Sequence, residues 1–175
     1  PMVQAFLDSS KLEQEGGMKY EMSPCNLKEI AEQVVREEQF AAEEKGLALS
    51  FSAAGDGPFA VQGDANKLKQ VFYNLVDNAI KYTPSGTVTA VLKKQDGKMV
   101  FSVIDTGVGI PQETLPKLFR KFSRAENAQK INVSSTGLGL YLAAEFVKAH
   151  GGRIWAESAG AGTGATFFVE LSSVS

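Results

Sequence analysis

The chain has 175 residues, of which 43% are hydrophobic, and this length suits one well-filled domain with a short appendage. Its formal net charge is -2, and acidic and basic residues are interspersed. Nucleic-acid binding is therefore not expected, because it needs a surplus of basic residues to neutralise the phosphates. The single cysteine, Cys25, excludes a disulfide within the chain and a multi-cysteine metal site, and no apolar run approaches the roughly 20 residues that cross a bilayer.

The first 17 residues have the pattern of a helix end. Val3, Phe6, Leu7 and Leu12 have approximate helical spacing, and Gly16-Gly17 is typical of a helix stop and hinge. We therefore separate residues 1–17 from a main domain of residues 18–175.

Residues 26–62 predict one helix followed by two strands. The segment Asn26-Leu27-Lys28-Glu29 has the form of a capping box, so a helix is expected from there to about Lys45. Apolar residues alternate with small or polar ones over residues 47–53, which predicts a strand, and a turn at residues 55–58 leads to a second strand near 59–62.

A second helix is expected to begin after Asp64, the candidate N-cap, and to end before Pro84. Its apolar stripe consists of Leu68, Val71, Phe72, Leu75, Val76, Ala79 and Ile80. Asn74, Asn78 and Lys81 fall within a narrow arc on the other side, so all three can face one ligand. The same pattern is compatible with a solvated helix face.

The rest of the chain alternates between strands and helices. We expect a hairpin of strands 87–94 and 99–105, a helix from about Gln112 to Lys121, a polar stretch 123–136, a helix 138–149, and a last hairpin of strands 153–158 and 165–171. This order predicts an α/β (α+β) two-layer sandwich, in which a mixed, largely antiparallel sheet is covered on one face by helices.

Asp105 is the candidate for recognising a base. It ends a predicted strand and is followed by Gly107 and Gly109, which allow the backbone to approach a flat ligand closely. An ionised carboxylate only accepts hydrogen bonds, which matches the exocyclic amine of adenine and not the O6 atom of guanine. The alternative interpretation is an ordinary Asp-Thr-Gly turn after a strand, which has the same sequence.

The segment Gly137-Leu138-Gly139-Leu140 is the candidate for binding phosphate. It precedes a predicted helix, whose first N–H groups are free to bind an anion. The glycine spacing is not that of a dinucleotide-binding fold, and no Walker lysine motif is present, so the Rossmann and P-loop folds are excluded.

Together these segments resemble the catalytic, ATP-binding domain of bacterial sensor histidine kinases, a branch of the GHKL superfamily. The resemblance covers about residues 20–172 and implies a Bergerat-type ATP-binding fold. It is carried by Asn74-Leu75-Val76-Asp77-Asn78-Ala79-Ile80-Lys81-Tyr82-Thr83-Pro84, Asp105-Thr106-Gly107-Val108-Gly109-Ile110-Pro111, Gly137-Leu138-Gly139 and Gly162-Thr163-Gly164-Ala165-Thr166-Phe167.

The resemblance implies ATP and Mg²⁺ as cofactors and assigns roles to residues of this chain. Asn78 would hold the magnesium, Asp105 would read adenine, and Asn74, Lys81 and Arg124 would act at the transferred phosphates. Phe119 and Phe122 resemble a phenylalanine box, which we interpret as packing that anchors the polar stretch 123–136. The implied nucleotide-binding residues are Asn74, Asn78, Lys81, Tyr82, Asp105, Gly107, Gly109, Ile110, Thr136, Gly137, Leu138, Gly139, Leu140 and Thr166.

The implied activity is transfer of the γ-phosphoryl group of ATP to a histidine on a dimerising helical hairpin, and then to the receiver domain of a response regulator. Residues 1–17 resemble the last turns of that hairpin, without its phosphoacceptor histidine. The only histidine, His150, lies at a predicted helix end, where we expect a capping or packing role. We expect a monomeric, cytoplasmic domain without membrane contact. Its parent protein is expected to be a homodimer, and the sequence leaves open whether that parent is anchored in the inner membrane.

Two alternatives remain open. The superfamily includes ATPases such as the gyrase-type topoisomerases and Hsp90, which carry a water-activating glutamate at the position of Asn74. Because an amide is a poor general base, the sequence favours phosphotransfer over hydrolysis. An ATP-dependent switch that only binds partners would show no transfer to an added histidine hairpin.

Overall fold

Three helices pack on one face of a five-stranded sheet in the part of the chain that the structure describes. The structure, a computed structural model, describes residues 7, 10, 18–123 and 137–174. The helices are α1 (Leu27–Glu44), α2 (Ala65–Tyr82) and α3 (Gly139–Ala149). The strands are β1 (Ser23–Asn26), β2 (Ala48–Ala54), β3 (Ala60–Gly63), β4 (Thr87–Gln95), β5 (Lys98–Asp105), β6 (Arg153–Glu157) and β7 (Ala165–Ser172).

The large sheet has the order β2-β4-β5-β7-β6. Its β2–β4 pair is parallel, while the other pairs are antiparallel. β1 and β3 form a separate antiparallel pair. The predicted two-layer sandwich with a mixed, largely antiparallel sheet is confirmed. Within the described ranges, none of the helices is long and apolar enough to cross a membrane.

Side-chain acceptors fix where α1 and α2 begin. Asp64 caps α2, since its Oδ1 accepts from the backbone N–H groups of Asn66 and Lys67. Asn26 caps α1 by accepting from the N–H of Lys28. The expected capping box forms in altered form, because Glu29 accepts from the side-chain amide of Asn26 rather than from its backbone N–H.

The core lies between the helices and one face of the sheet. The whole predicted apolar stripe of α2 is buried, and the Phe72 ring stacks on the Phe101 ring of β5 with centroids 3.8 Å apart. Burying a side chain of this size stabilises the fold by about 1.5–3 kcal/mol. On the other sheet face Ile104 is 41% exposed, and Trp155 stacks on Phe168. The helices therefore cover one face, as predicted.

The predicted helix from Gln112 to Lys121 is wrong. The structure has a 3₁₀ helix at Leu115–Lys117 with turns on either side. Pro116 has no N–H, and inside an α-helix its ring would meet the carbonyl of Gln112. The segment uses bonds to the third preceding residue instead, as in the N–H of Lys117 to the carbonyl of Thr114.

Candidate functional site

Asn74 joins two of the predicted motifs. Its side-chain Nδ2 donates to the carbonyl oxygen of Gly139, at 3.0 Å, across 65 positions of sequence. The bond places the middle of α2 against the first turn of α3. The structure therefore brings together the asparagine motif and the second glycine motif, which the sequence could only propose as neighbours.

Lys81 lies on the same edge of α2 and is paired. Its Nζ is 2.6 Å from Oδ2 of Asp77, one helical turn earlier, with the two side chains 35% and 20% exposed. A partly exposed pair of this kind stabilises a protein by about 1 kcal/mol or less. A stronger anion can therefore compete with Asp77 for the Lys81 ammonium group.

Asn78 lies between these residues and is half-buried. Within the described residues, its side chain makes no hydrogen bond, in contrast to that of Asn74. An amide oxygen is a hard ligand, and Mg²⁺ takes few protein ligands when phosphates and waters supply the rest. The Asn78 amide, which has no hydrogen-bond partner in the described residues, fits such an ion. The described ranges contain no group of three or more histidine, cysteine, aspartate or glutamate side chains that could hold a metal.

Asp105 ends β5 on the helix-covered face of the sheet and is only 7% exposed. Its Oδ1 accepts from the N–H of Gly107 at 2.8 Å. Burial raises the pKa of the Asp105 carboxyl group, while hydrogen bonds from the backbone N–H groups of Gly107 and Ala165 oppose that rise. The carboxyl group is thus held by backbone donors on a rigid strand end, with acceptor capacity left for a ligand amine.

The glycines after Asp105 are required first by packing within the chain. A Cβ at Gly107 would overlap the carbonyl oxygen of Tyr82, and one at Gly109 would overlap that of Gly160. Gly109 also has φ of +69°, which disfavours other residues. The expected reason, close approach of a ligand, is not needed to explain either glycine.

The third glycine segment clamps this loop. The N–H of Gly162 donates to the carbonyl of Val108 at 2.7 Å, and that of Gly164 to the carbonyl of Gly107 at 3.1 Å. On the other side of the loop, the carbonyl of Tyr82 accepts from the N–H of Val108 at 3.1 Å. The loop after Asp105 is therefore fixed between the end of α2 and the turn before β7.

Thr166 is not brought to the Asp105 side chain. In the β5–β7 pairing, Asp105 is opposite Ala165 and Ile104 is opposite Thr166. Because side chains alternate between the two faces of a sheet, Thr166 lies on the uncovered face with Ile104. Thr166 and Asp105 nevertheless both line one cavity of about 430 Å³ at this edge of the sheet. Ala165, 7% exposed, occupies the place beside Asp105.

The start of α3 has the predicted form. Its N-cap residue, Leu138, makes no side-chain capping bond. Leu138 is buried and Leu140 packs against the core, so the apolar side chains of the motif serve packing. The first N–H groups of α3 therefore lack a side-chain cap, and they lie next to the hydrogen bond between Asn74 and Gly139.

Gly137 lies next to the chain before the polar stretch. It has φ of +69°, and its carbonyl accepts from the N–H of Phe122 at 3.1 Å. Arg124 and Thr136, both predicted to contact the nucleotide, lie outside the described residues.

The phenylalanine pair divides into two roles. Phe119 packs edge-on against Phe167 with ring centroids 6.5 Å apart, as expected of an anchor. Phe122 is 62% exposed, so packing does not account for its side chain. Its backbone, at φ of +59°, contacts Gly137 instead.

Ser158 belongs to the site and was not predicted. Its Oγ accepts from the N–H of Ile110 at 3.0 Å and donates to the carbonyl of Gly164 at 2.7 Å. These bonds connect the end of β6 with the loop that follows Asp105 and fix the buried Ile110. A lone serine after a strand has no spacing that could have indicated this role.

His150 has the predicted capping and packing role. It is the C-cap residue of α3. Its Nδ1 lies 2.6 Å from the carbonyl oxygen of Phe146, which can only accept, so Nδ1 is the donor. Its Nε2 accepts from the N–H of Asp64 at 2.9 Å. Both ring nitrogens are therefore used within the fold, and the first turn of α2 is tied to the end of α3.

Comparisons with known proteins point to one group. The model of a family described as histidine kinase-, DNA gyrase B- and HSP90-like ATPases matches residues 63–174. Sensor protein GacS of Pseudomonas syringae pv. syringae is 33% identical over 175 residues, which cover 97% of this chain and 19% of GacS. Sensor histidine kinase WalK of Bacillus subtilis (strain 168) is 40% identical over 116 residues, covering 64% of this chain and 19% of WalK.

A solved structure has the same fold. The crystal structure of full-length ShkA in complex with AMPPNP superimposes with a TM-score of 0.84 at 25% identity, covering 99% of this chain and 36% of ShkA. The chain therefore spans about a fifth of the two curated relatives and about a third of the ShkA chain.

Proposed function

Because the chain belongs to the family of histidine kinase-, DNA gyrase B- and HSP90-like ATPases, we propose that it is the ATP-binding catalytic domain of a sensor histidine kinase. It would transfer the γ-phosphoryl group of ATP to a histidine on a dimerising hairpin. The relatives named as sensors or sensor histidine kinases, and the AMPPNP in the ShkA crystal, support this proposal. The observation that carries it is the contact of Asn74 with Gly139, which places an amide-rich helix edge against a helix start.

Adenine would bind beside Asp105. The carboxylate would accept from the exocyclic amine, while Ile110 and the backbone fixed by Ser158 would shape that end of the site. The buried position of Asp105 favours adenine over guanine. A buried carboxylate that faces the O6 atom of guanine would lose a hydrogen bond and could not replace it with one from water.

The phosphates would lie between α2 and α3. The N–H groups at the start of α3 and the ammonium group of Lys81 would bind their oxygens. Asn78 would hold Mg²⁺, which when bound supplies charge neutralisation at the transferred phosphate. Arg124, Thr136 and Tyr82 remain predicted contacts, and Arg124 would stabilise the charge on the γ-phosphate.

The transfer itself would break the bond between the γ-phosphorus and its bridging oxygen and form a bond from phosphorus to the acceptor nitrogen, with ADP leaving. The chain's part is positioning and charge stabilisation. Asn74 occupies the position at which related ATPases have a general base, and its amide is bound to Gly139, so water would not be activated there.

The hairpin helices of the parent protein, the receiver domain of a response regulator and a cytoplasmic location complete the proposal. Residues 1–17 would be the end of the hairpin and residues 18–175 the catalytic domain. The domain alone would be monomeric and its parent homodimeric.

The first test is calorimetric titration of ATP, ADP and GTP, each with Mg²⁺, into the chain. We expect binding of the adenine nucleotides and at least tenfold weaker binding of GTP. Failure to bind any adenine nucleotide would refute the proposal.

The second test supplies a histidine hairpin from a sensor kinase together with ATP labelled at the γ-phosphate. We expect label on the hairpin histidine and little free phosphate. Binding without transfer would favour the nucleotide-dependent switch, and rapid release of phosphate would favour an ATPase.

A further inference from the structure

Lys45, the C-cap residue of α1, reaches across to the end of α2. Its Nζ donates to the carbonyl of Ile80 at 2.7 Å and to that of Lys81 at 3.0 Å. An ammonium group carries three donors, so it can make both bonds at once. The side chain of Lys45 thus joins the last residue of one helix to the last turn of the next. The proposed function does not yet use this residue.

The carboxyl end of α2 needs donors from outside the helix. The last carbonyl groups of a helix have no partners within it, and together they carry a partial negative charge. α2 ends at Tyr82, and Pro84, which follows closely, has no N–H to donate. The Tyr82 carbonyl accepts from the N–H of Val108 at 3.1 Å, and the two carbonyls before it accept from Lys45. Lys45 therefore supplies both the hydrogen bonds and the positive charge that suit this end of the helix.

The last turn of α2 carries two residues that are assigned to the nucleotide. They are Lys81, whose ammonium group would bind phosphate oxygens, and Tyr82. A residue at the end of a helix is held by fewer backbone bonds than one in the middle, and helix ends fray. The carbonyl of Lys81 is itself one of the two that Lys45 binds. The cap therefore limits how far the backbone beneath the Lys81 side chain can move.

The adenine end of the proposed site depends less on this cap. The loop after Asp105 is joined to α2 through the carbonyl of Tyr82, but the N–H groups of Gly162 and Gly164 hold the same loop from the other side. Loss of the Lys45 cap would leave those two bonds in place. It would therefore loosen the phosphate end of the site more than the adenine end.

We infer that Lys45 is a positioning residue for phosphate binding: by capping the end of α2, it holds Lys81 where its ammonium group can bind the nucleotide phosphates. This inference rests on the proposed function and extends it to a residue on a different helix. Lys45 acts through the backbone of α2 and does not itself contact the nucleotide.

Two lysine substitutions form a matched pair for the test. Lys69 also joins α1 to α2, since its Nζ lies 2.8 Å from Glu37 Oε1. It lies about three turns before the end of α2, so it does not cap the helix. Lys45→Met and Lys69→Met each remove one positive charge and one contact between the same two helices. Only Lys45→Met removes the cap.

We expect Lys45→Met to bind Mg·ATP about fivefold more weakly than the unsubstituted chain, and Lys69→Met to bind it within about twofold. Adenosine, which has no phosphate, should bind both variants as well as it binds the unsubstituted chain. Calorimetric titration of each ligand measures this, at a temperature at which thermal unfolding shows every variant to be folded. Lys45→Leu replaces Lys45→Met if the latter does not fold.

Two further variants separate positioning from a general loss of stability. Lys45→Arg keeps the charge and the donors, so it should bind Mg·ATP within about twofold of the unsubstituted chain. In a chain that carries Lys81→Met there is no ammonium group left to position, so adding Lys45→Met should weaken Mg·ATP binding by less than about twofold.

Several outcomes would overturn the inference. They are equal losses in Lys45→Met and Lys69→Met, equal losses for Mg·ATP and adenosine, no recovery in Lys45→Arg, or an undiminished loss in the Lys81→Met chain. Failure of the proposed function would look different, because it concerns the unsubstituted chain. An unsubstituted chain that binds adenosine but not Mg·ATP would refute the phosphate site itself, and one that binds neither would refute the proposed function.

Discussion

The side chain of Asn74 and the backbone of Gly139 form a hydrogen bond of 3.0 Å that joins the middle of α2 to the first residue of α3. A Cβ at Gly139 would lie 3.4 Å from Asn74 Oδ1, so the two helices approach closely at this point. The contact therefore fixes how far Asn78, the predicted magnesium ligand on α2, lies from the first N–H groups of α3.

Asn74→Ala should weaken both the fold and the site. Loss of one hydrogen bond between helices costs about 1 kcal/mol of unfolding free energy. Affinity for Mg·ATP should fall at least fivefold, because α3 is no longer held at its start. Asn66→Ala, an exposed position on the same helix, is the control, and urea unfolding with calorimetry measures both. Full affinity in Asn74→Ala would show that the contact does not position α3.

Asp105→Asn should lose base selectivity and gain stability. Burial raises the pKa of Asp105 above its value in the unfolded chain, so its protonated form is favoured by folding. That stabilisation is present below the unfolded pKa and is lost as pH rises through the folded pKa. At pH 7 the ionised carboxylate therefore lowers stability, and an uncharged amide avoids this cost.

Urea unfolding at pH 7 and at pH 3 checks the sign of this effect. Asp105→Asn should be more stable than the unsubstituted chain at pH 7, and the difference should shrink on acidification. Asp56→Asn, at an exposed carboxylate, controls for net charge. The preference for ATP over GTP should fall at least tenfold only in Asp105→Asn. Unchanged selectivity would remove Asp105 from the site.

Gly109→Ala and Gly151→Ala separate backbone strain from packing. The two glycines have φ of +69° and +67°, but a Cβ at Gly151 meets nothing within 4 Å, whereas one at Gly109 overlaps the Gly160 carbonyl. We expect Gly151→Ala to cost about 1–2 kcal/mol and Gly109→Ala clearly more, because its loop must shift. Denaturant unfolding measures both losses of unfolding free energy. Equal losses would contradict the close packing of Gly109 against Gly160.

His150→Leu should destabilise the chain without affecting its chemistry. It leaves the N–H of Asp64 without its acceptor, which costs about 1–3 kcal/mol. Transfer of phosphate to an added histidine hairpin should persist in the fraction that remains folded. Abolished transfer by fully folded protein would give His150 a direct part in the reaction.

Sequence patterns predicted most of the fold because most elements are decided locally. The stripe of α2, its cap at Asp64 and the Asp96-Gly97 turn each follow from side chains within one segment. The helix expected from Gln112 to Lys121 does not form because Pro116, in the middle of that range, has no N–H to donate. Sequence also indicated that Asn74 and Gly139 would be near each other only through resemblance, since no local rule links positions 65 apart.

The parts of the site that escaped prediction depend on strand register and on bonds between loops. Thr166 was expected to contact the nucleotide and stays a prediction; the pairing of Asp105 with Ala165 places its side chain on the other face of the sheet from that of Asp105, and a shift of one residue would have placed both on the same face. The role of Ser158 depends on three segments meeting at one hydroxyl group. Such bonds follow from the assembled fold and not from the residue's neighbours in sequence.

The two bonds from Gly162 and Gly164 to the loop after Asp105 continue the pairing of β5 and β7 beyond the strands themselves. The proposed adenine end of the site is consequently hydrogen-bonded to its neighbours as a strand of the sheet would be, although its sequence has the composition of a turn. A ligand that binds there finds a surface already ordered, so little conformational entropy is lost on this side when the complex forms.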